Sequence, residues 1–424
     1  MILFVTAIGT MIFIPYDEAI RYWRGEGLNL TPRLARPAWT NWFRREKWPE
    51  SIYFDSINGT KGVLSNKEIV AINENMTDIR MTFDFEYTAD VFPDDVSIFF
   101  DAQYDEKNPF VTINMIKPNG DEVEIESLSV SDDVAYYFVE EENKLTNKTG
   151  STDIQQSFGD PDTDYIRPLK GKYELQVLAI VFEDDSNVDI QGVIYGKVFG
   201  LFGSDSQRRD LTIAMLWGTP IALAFGVVGA TLTTVTTILI AAISAWYGGW
   251  LDEILQRITE INITIPSLAM AVLVYILYSK SIIAILLTMI LMNIFGNSLK
   301  EYRAMFLQFR ESPYIEAAKS YGASNLRIIF RYLMPRILQV MVPQLVISVP
   351  GYVFLEATLA FLGVITPYIP TWGKVISQAL NEGAYWGHYF WILEPIILVL
   401  ITGLAFAFVG YSLEQILNPR LRSQ

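Results

Sequence analysis

The pattern of apolar and polar positions changes character near residue 200. Before it, apolar and polar side chains alternate in Arg80–Tyr87, Val96–Phe100 and Lys172–Phe182, the period-two signature of half-buried strands. Pro118, Asn119, Gly120 and Asp121 stand between Val111–Ile116 and Glu122–Ile125, which fits a hairpin turn. Strands at this spacing, with no strong helical pattern, predict an all-β, sandwich-like domain over 67–200, with the polar stretch Asn143–Asp164 as a loop. After residue 200 uncharged runs dominate. Residues 211–251, 261–279 and 281–299 hold no charged side chain, 337–363 hold only Glu356, and 390–413 hold only Glu394. A helix needs roughly 20 apolar residues to cross about 30 Å of hydrocarbon, so five spans are expected within 201–424. Residues 1–14 are apolar too but too few to cross, and all or part of a first transmembrane segment is expected over 1–23, the helix either continuing through Pro15 to Trp23 or starting upstream. Residues 24–66 form a connector rich in Trp and Arg.

Charge divides the chain in the same place. Residues 51–200 carry 30 acidic and 11 basic side chains, a net of −19, while the rest carries 17 acidic and 21 basic, a net of +4. An acidic, water-facing domain is joined to an apolar, slightly basic body. The segment 300–336 holds Lys300, Arg303, Arg310, Lys319, Arg327, Arg331 and Arg336 against Glu301, Glu311 and Glu316, and loops rich in Lys and Arg stay in the cytoplasm. Three spans separate residue 210 from residue 300, which places 24–210 outside the cell membrane. Two more separate residue 336 from the C-terminus, which is then cytoplasmic. Residues 31–48 are also basic, but no span follows them before residue 210. They are expected as an outer-surface amphipathic segment held against membrane lipid by Trp and Arg.

Composition then removes whole classes of chemistry. Cysteine is absent and His388 is the sole histidine, so thiolate metal sites, His-rich sites and Ser–His triads are excluded by counting. No nucleotide-binding glycine loop occurs, because the Gly-Lys pairs at 171, 196 and 373 are followed by Tyr173, Val198 and Val375. No catalytic residue, no metal site, no cofactor in this chain and no nucleic-acid partner are expected. ATP and Mg, if they drive the system, bind to other chains.

The segment Glu316–Pro335, EAAKSYGASNLRIIFRYLMP, is the most informative. It reads as short helices between spans. Pro313 opens the first helix, and Glu316 lies near its positive N-terminal end. Ala318 and Gly322, a turn apart, predict a face without bulk that a partner's surface can approach. Arg327 and Arg331 lie four apart on the next helix, and Pro335 closes the segment where the next span begins. The spacing alone leaves an ordinary amphipathic loop equally open.

This stretch resembles the EAA loop of binding-protein-dependent ATP-driven importers, and the longer pattern resembles the C-type permease subunit of the dipeptide and oligopeptide family. GSDSQRRD (203–210) is similar to that family's Gly-Thr-Asp-x-x-Gly-Arg-Asp element, with Arg208 in place of a glycine. YGGWLDEILQRITE (247–260), IPSLAMA (265–271), FLEATLAFLGV (354–364), PTWGKVI (370–376) and LNPRL (417–421) follow in the family's order. The resemblance covers 199–424. It implies an α-helical multi-pass membrane protein of about six spans, the type I importer permease fold, with residues 51–200 as an inserted extracellular domain. It implies a second homologous permease subunit, two cytoplasmic ATPase subunits carrying ATP and Mg, and an extracellular substrate-binding protein. It also implies peptides or similar oligomeric solutes such as oligosaccharides as cargo. Glu316, Ala317, Ala318, Gly322, Arg327 and Pro335 would form the ATPase-coupling contact.

Two acids lie inside spans, where a carboxylate costs about 2.5–3.5 kcal/mol at the helix centre and should face protein or water. Glu356 is expected to pack or gate, and Glu394 either lines a pathway or caps the last helix ahead of Pro395. The cluster Thr231, Thr233, Thr234, Thr236 and Thr237 either lines a polar path or, as threonines in spans more often do, hydrogen-bonds back to its own helix, which is the expectation. The alternative class is a membrane receptor with the β domain as ligand reader, but only a short tail follows the last span, with no room for a signalling domain.

Overall fold

The computed structural model describes residues 2–25, 30–60, 62–73, 76–131, 135–137, 153–183, 185–364 and 368–417. In chain order the first elements are helices α1 (Ile2–Phe13) and α2 (Tyr16–Arg24) and strands β1 (Ile52–Asp55), β2 (Leu64–Asn73), β3 (Met76–Tyr87), β4 (Asp95–Gln103), β5 (Phe110–Ile116), β6 (Glu122–Ser129) and β7 (Ala135–Tyr137). Helix α3 (Asp153–Phe158) and strands β8 (Gly171–Val181) and β9 (Asn187–Tyr195) follow. The rest is helical: α4 (Leu211–Tyr247), α5 (Gly249–Thr264), α6 (Ser267–Leu277), α7 (Ile282–Ile294), α8 (Asn297–Arg310), α9 (Pro313–Ser320), α10 (Asn325–Ile328), α11 (Met334–Phe361), α12 (Trp372–Asn381) and α13 (Tyr389–Leu417). The chain divides into two compact units, Gly25–Thr212 and Met1–Arg24 with Ile213–Gln424.

The first of these is built on two antiparallel sheets, one of order β1-β9-β4-β7 and one of order β2-β3-β8-β5-β6. Alternation decides which side chains they bury. Ile79, Met81, Phe83 and Phe85 on β3 and Tyr173, Leu175, Val177 and Ala179 on β8 share one core with Phe54, Ile98, Phe100, Val188 and Ile190 of the other sheet. Phe85 and Tyr173 are register partners with rings stacked at 5.6 Å. Lys67 on β2 ties the sheets at their edge: its Nζ donates to Asp189 on β9 at 2.7 Å and to the Val188 carbonyl at 3.0 Å. The strands begin at Ile52, upstream of the expected boundary at 67, because Phe54 and Ile52 belong to the same core. The polar stretch 143–164 also departs from a plain loop: its described part contains α3, whose Ile154 and Phe158, four apart, enter the core. Residues 143–152 lie outside the described residues.

In the second unit, three helices are long and apolar enough to cross a membrane: Leu211–Tyr247, Asn325–Phe361 (α10 to α11) and Tyr389–Leu417. Three helix pairs pass the same test only when each bent pair is taken as one span, so the candidate spans number three to six among the described residues. The expected first span bends by 81° between α1 and α2, at Pro15. The expected run 261–279 contains an 82° bend between α5 and α6, at Ile265 and Pro266, and the run 281–299 a 42° bend between α7 and α8, at Phe295 and Gly296. Proline removes a helical N–H and clashes with the preceding turn, which accounts for the first two. The basic tail and the end of LNPRL beyond Leu417 lie outside the described residues.

Candidate functional site

The loop between α8 and α11 is built in two layers. Pro313 begins α9, with Glu316 in its first turn. Gly322 ends it in the left-handed region at φ +75°, its N–H on the Lys319 carbonyl and that of Ala323 on the Ala318 carbonyl. After α10 the chain runs through a π-helical turn, Ile329–Leu333, into α11, and Pro335 sits in that helix's first turn. The inner layer is apolar. Ile315, Ala318, Ile328, Ile329 and Leu333 pack with Ile238, Ala241, Ala242 and Ala245 of α4 and Leu299, Tyr302 and Phe306 of α8. Polar contacts fix α8, which leads into the loop, and the loop itself to α4 and α5. Arg303 donates to both carboxylate oxygens of Asp252, at 2.6 and 2.5 Å, and Ser244 donates to that carboxylate too. Arg310 donates to the Ala245 carbonyl at 2.7 Å, and Lys319 lies 5.0 Å from the Trp246 ring centroid. Asp252 and Trp246 gain roles that spacing alone did not show.

The outer layer exposes Glu316, Ala317, Gly322, Arg327 and Pro335. Two expectations change here. Ala318 is buried, so it packs the loop against the spans and presents no face to a partner. Gly322 lies past the end of α9, not a turn up the same face, and its requirement is backbone conformation: a Cβ there meets nothing within 4 Å, but φ +75° strains any L side chain. Sequence reasoning also missed Tyr321, Leu326 and Phe330, which are 91%, 60% and 55% exposed on this layer. Their signal was three large apolar residues inside a charged loop.

A polar cavity of about 500 Å³ lies between α4, α7, α8 and α11, lined by Thr233, Thr234, Thr237, Asn293, Gln344, Ser348 and Tyr352 among others. None of the lining residues carries a charge. The threonines do not all bond back to α4: Thr233 shares a hydrogen bond with Tyr352 across the cavity wall, and Thr237 donates to the Ile294 carbonyl at 3.3 Å. Neither intramembrane acid lines this cavity. Glu356 is fully buried and hydrogen-bonded to Thr371. The FLEATLAFLGV and PTWGKVI elements thus meet through Glu356 and Thr371, and the adjacent Trp372 donates to the Met215 carbonyl of α4 at 3.0 Å. Glu394 lies in the second turn of α13 and does not cap it; neither of its carboxyl oxygens has a hydrogen-bond partner among the described residues.

GSDSQRRD folds as a closed turn ahead of α4. Asp205 is buried and accepts from the backbone of Gln207 and Arg209 and from the Arg209 side chain at 2.6 Å. Ser204 donates to the Pro32 carbonyl at 2.5 Å and accepts from Ala35 N–H at 3.0 Å. Arg208 takes the left-handed backbone a glycine would supply, φ +63°.

Apolar candidate spans, a two-layered basic loop between them and a neutral polar cavity make the framework of a multi-pass membrane protein, and the relatives it resembles are transport permeases rather than enzymes. The family described as binding-protein-dependent transport system inner membrane component matches residues 235–423. The oligopeptide transport system permease protein OppC of Bacillus subtilis is 30% identical over 223 residues, covering 52% of this chain and 72% of its own. The dipeptide transport system permease protein DppC of the same organism is 28% identical over 222 residues, covering 52% and 69%. A chain of the MetNI methionine ABC transporter, solved in inward-facing conformations, overlays with a TM-score of 0.38 at 17% identity, over 48% of this chain and 96% of its own. The chain belongs to the inner-membrane permeases of binding-protein-dependent ATP-driven importers.

Proposed function

We propose that the chain is one permease subunit of an ATP-driven importer of peptides or similar oligomeric solutes, and that the outer layer of the 313–335 loop receives the ATPase. The reading adds a second homologous permease, two cytoplasmic ATPase subunits that bind ATP and Mg, and a substrate-binding protein outside. Residues 24–210 face outward, and the loop and C-terminus face the cytoplasm. The observation that carries it is the division of the loop. Ile315, Ala318 and Ile328 key it to α4 and α8, while Glu316, Ala317, Tyr321, Gly322, Leu326 and Arg327 stay exposed. A push on the exposed layer passes directly to the spans beside the polar cavity. That cavity, with hydroxyls and amides and no charge, suits a solute rich in peptide groups. Glu356, joined to Thr371, links α11 to α12 as a gating strut, and Glu394 is the second candidate for the pathway.

The test uses the absence of native cysteine. Ala317→Cys in otherwise unchanged chain should react with a membrane-impermeant maleimide only after the cells are opened. Leu326→Asp should reduce uptake and solute-stimulated ATP hydrolysis by about tenfold or more in the assembled transporter, with the chain still folded and in the membrane. Labelling from outside the cell, or full stimulation in the Leu326 variant, overturns the assignment.

A further inference from the structure

The connector before β1 is neither an amphipathic helix nor a plain linker. Residues Ala38–Phe43 form a 3-10 helix behind Pro37. Its tip presents Trp42 and Phe43 at 84% and 81% exposure, beside Trp39 at 40%. Trp39 and Phe43 meet edge to face, with centroids 6.4 Å apart. The Trp39 indole donates to the Leu201 carbonyl at 3.0 Å, and Leu201 is itself 56% exposed. Trp39 and Phe43 thus meet on an exposed apolar tip that shares its short helix with Trp42 and is bonded to the backbone of exposed Leu201.

The patch is held rigidly. The Asn41 amide clamps both backbone groups of Trp48, at 2.9 and 3.1 Å, and the Arg44 guanidinium lies 3.7 Å from the Trp48 ring centroid. Ala38 N–H donates to the Gly200 carbonyl at 3.0 Å. Within an acidic unit this segment is the basic exception: from 33 to 47 it holds Arg33, Arg36, Arg44, Arg45 and Lys47 against Glu46 alone. Arg33, Arg45 and Lys47 are exposed.

Connectivity tethers the patch near one end of a span. Gly203, two residues from Leu201, accepts a hydrogen bond at 3.1 Å from Leu211 N–H, the first residue of the span α4. The far end of α4 is held by the loop core at Ile238–Ala245, so its first turn is the end at the opposite interface. A rigid apolar tip with a basic rim, fastened to the start of a span, matches the layered chemistry of a bilayer surface, where Trp anchors and cations meet phosphates. We propose that Trp39, Trp42, Phe43 and Leu201 dip into the headgroup region of the membrane that the chain itself spans, with Arg45 and Lys47 on lipid phosphates.

The experiment attaches a nitrobenzoxadiazole fluorophore to Phe43→Cys, and separately to Asn119→Cys at the exposed β5–β6 turn, in the full chain. Both are placed in nanodiscs containing phosphatidylglycerol. Brominated acyl chains should quench the label at 43 several-fold more than the label at 119, while iodide in the water should quench 119 more. Equal iodide quenching at the two positions overturns the proposal. Protection of position 43 from both quenchers also overturns it, since a protein surface then covers the tip.

Discussion

Arg208 occupies a backbone conformation that L-residues adopt at a cost of about 1–2 kcal/mol, and its side chain offsets that cost. The guanidinium donates to the Thr31 carbonyl at 3.0 Å, lies 4.2 Å from the Tyr195 ring centroid and 3.7 Å from the Asp95 carboxylate. Arg208→Ala keeps the strained backbone and loses the contacts, whereas Arg208→Gly loses the contacts and the strain together. The glycine variant should therefore be more stable than the alanine variant by about 1 kcal/mol, measured by chemical unfolding of the purified chain. The reverse order would mean that the left-handed turn carries no strain. The sequence shows that Arg208 departs from the family pattern, but not that the turn survives it, because the rescuing partners Thr31 and Asp95 are far along the chain. Ala318 and Gly322 carry the same lesson: spacing places them together, but the end of α9 falls between them, and only packing reveals which is inside.

At the scale of elements, α12 lies against α11 through a glycine. A Cβ on Gly373 would stand 2.5 Å from the Ala357 Cα and 2.6 Å from its carbonyl oxygen, backbone atoms that cannot step aside. Gly351, on α11 itself, would meet nothing within 4 Å. Gly373→Ala should force α12 off α11, destabilising the helical unit by about 1–3 kcal/mol as an overpacked site and parting Thr371 from Glu356. Gly351→Ala should leave stability unchanged or slightly raised. Thermal unfolding in detergent compares them, and equal midpoints would disprove the close packing. Apolar run lengths made the spans legible, and alternation made β3, β4 and β8 legible. The bends near Pro266 and Gly296 were hidden because an uncharged run reads the same whether straight or broken. Strand β2 was missed for a related reason: nearly all its side chains are exposed, so no alternation marks it.

At the scale of the molecule, the acidic unit holds several carboxylates in their charged form. The Lys170 hydrogen bond keeps Asp90 below the usual carboxylate range, and the backbone N–H groups of Asp105, Glu106 and Lys107 do the same for Glu183. Burial pushes Asp189 up, but hydrogen bonds from Lys67, Ser56 and Asn187 outweigh it and leave it lowered. A group with a lowered folded-state pKa stabilises the fold above its unfolded value, near 4, and loses that contribution as pH falls through the folded value. Asp210, raised by burial, has the opposite sign. The lowered groups outnumber it, so resistance of the β unit to denaturant should hold from pH 7 to about 5 and fall steeply below 4. Asp189→Asn should flatten part of that fall; a midpoint independent of pH down to 3 would contradict it.

The strand ends of the β unit leave it side by side. Gly196 N–H donates to the Ser51 hydroxyl at 3.0 Å, Lys197 N–H donates to the Pro49 carbonyl at 2.9 Å, and Val198 bridges both Arg36 and Glu50. A cut at these neighbouring points can be rejoined by a tight turn, because the loop it leaves costs almost nothing to close. The sandwich is thus entered and left at one place on the chain, the clasp formed by residues 31–50 and 196–210, so a single tether there positions all of its strands.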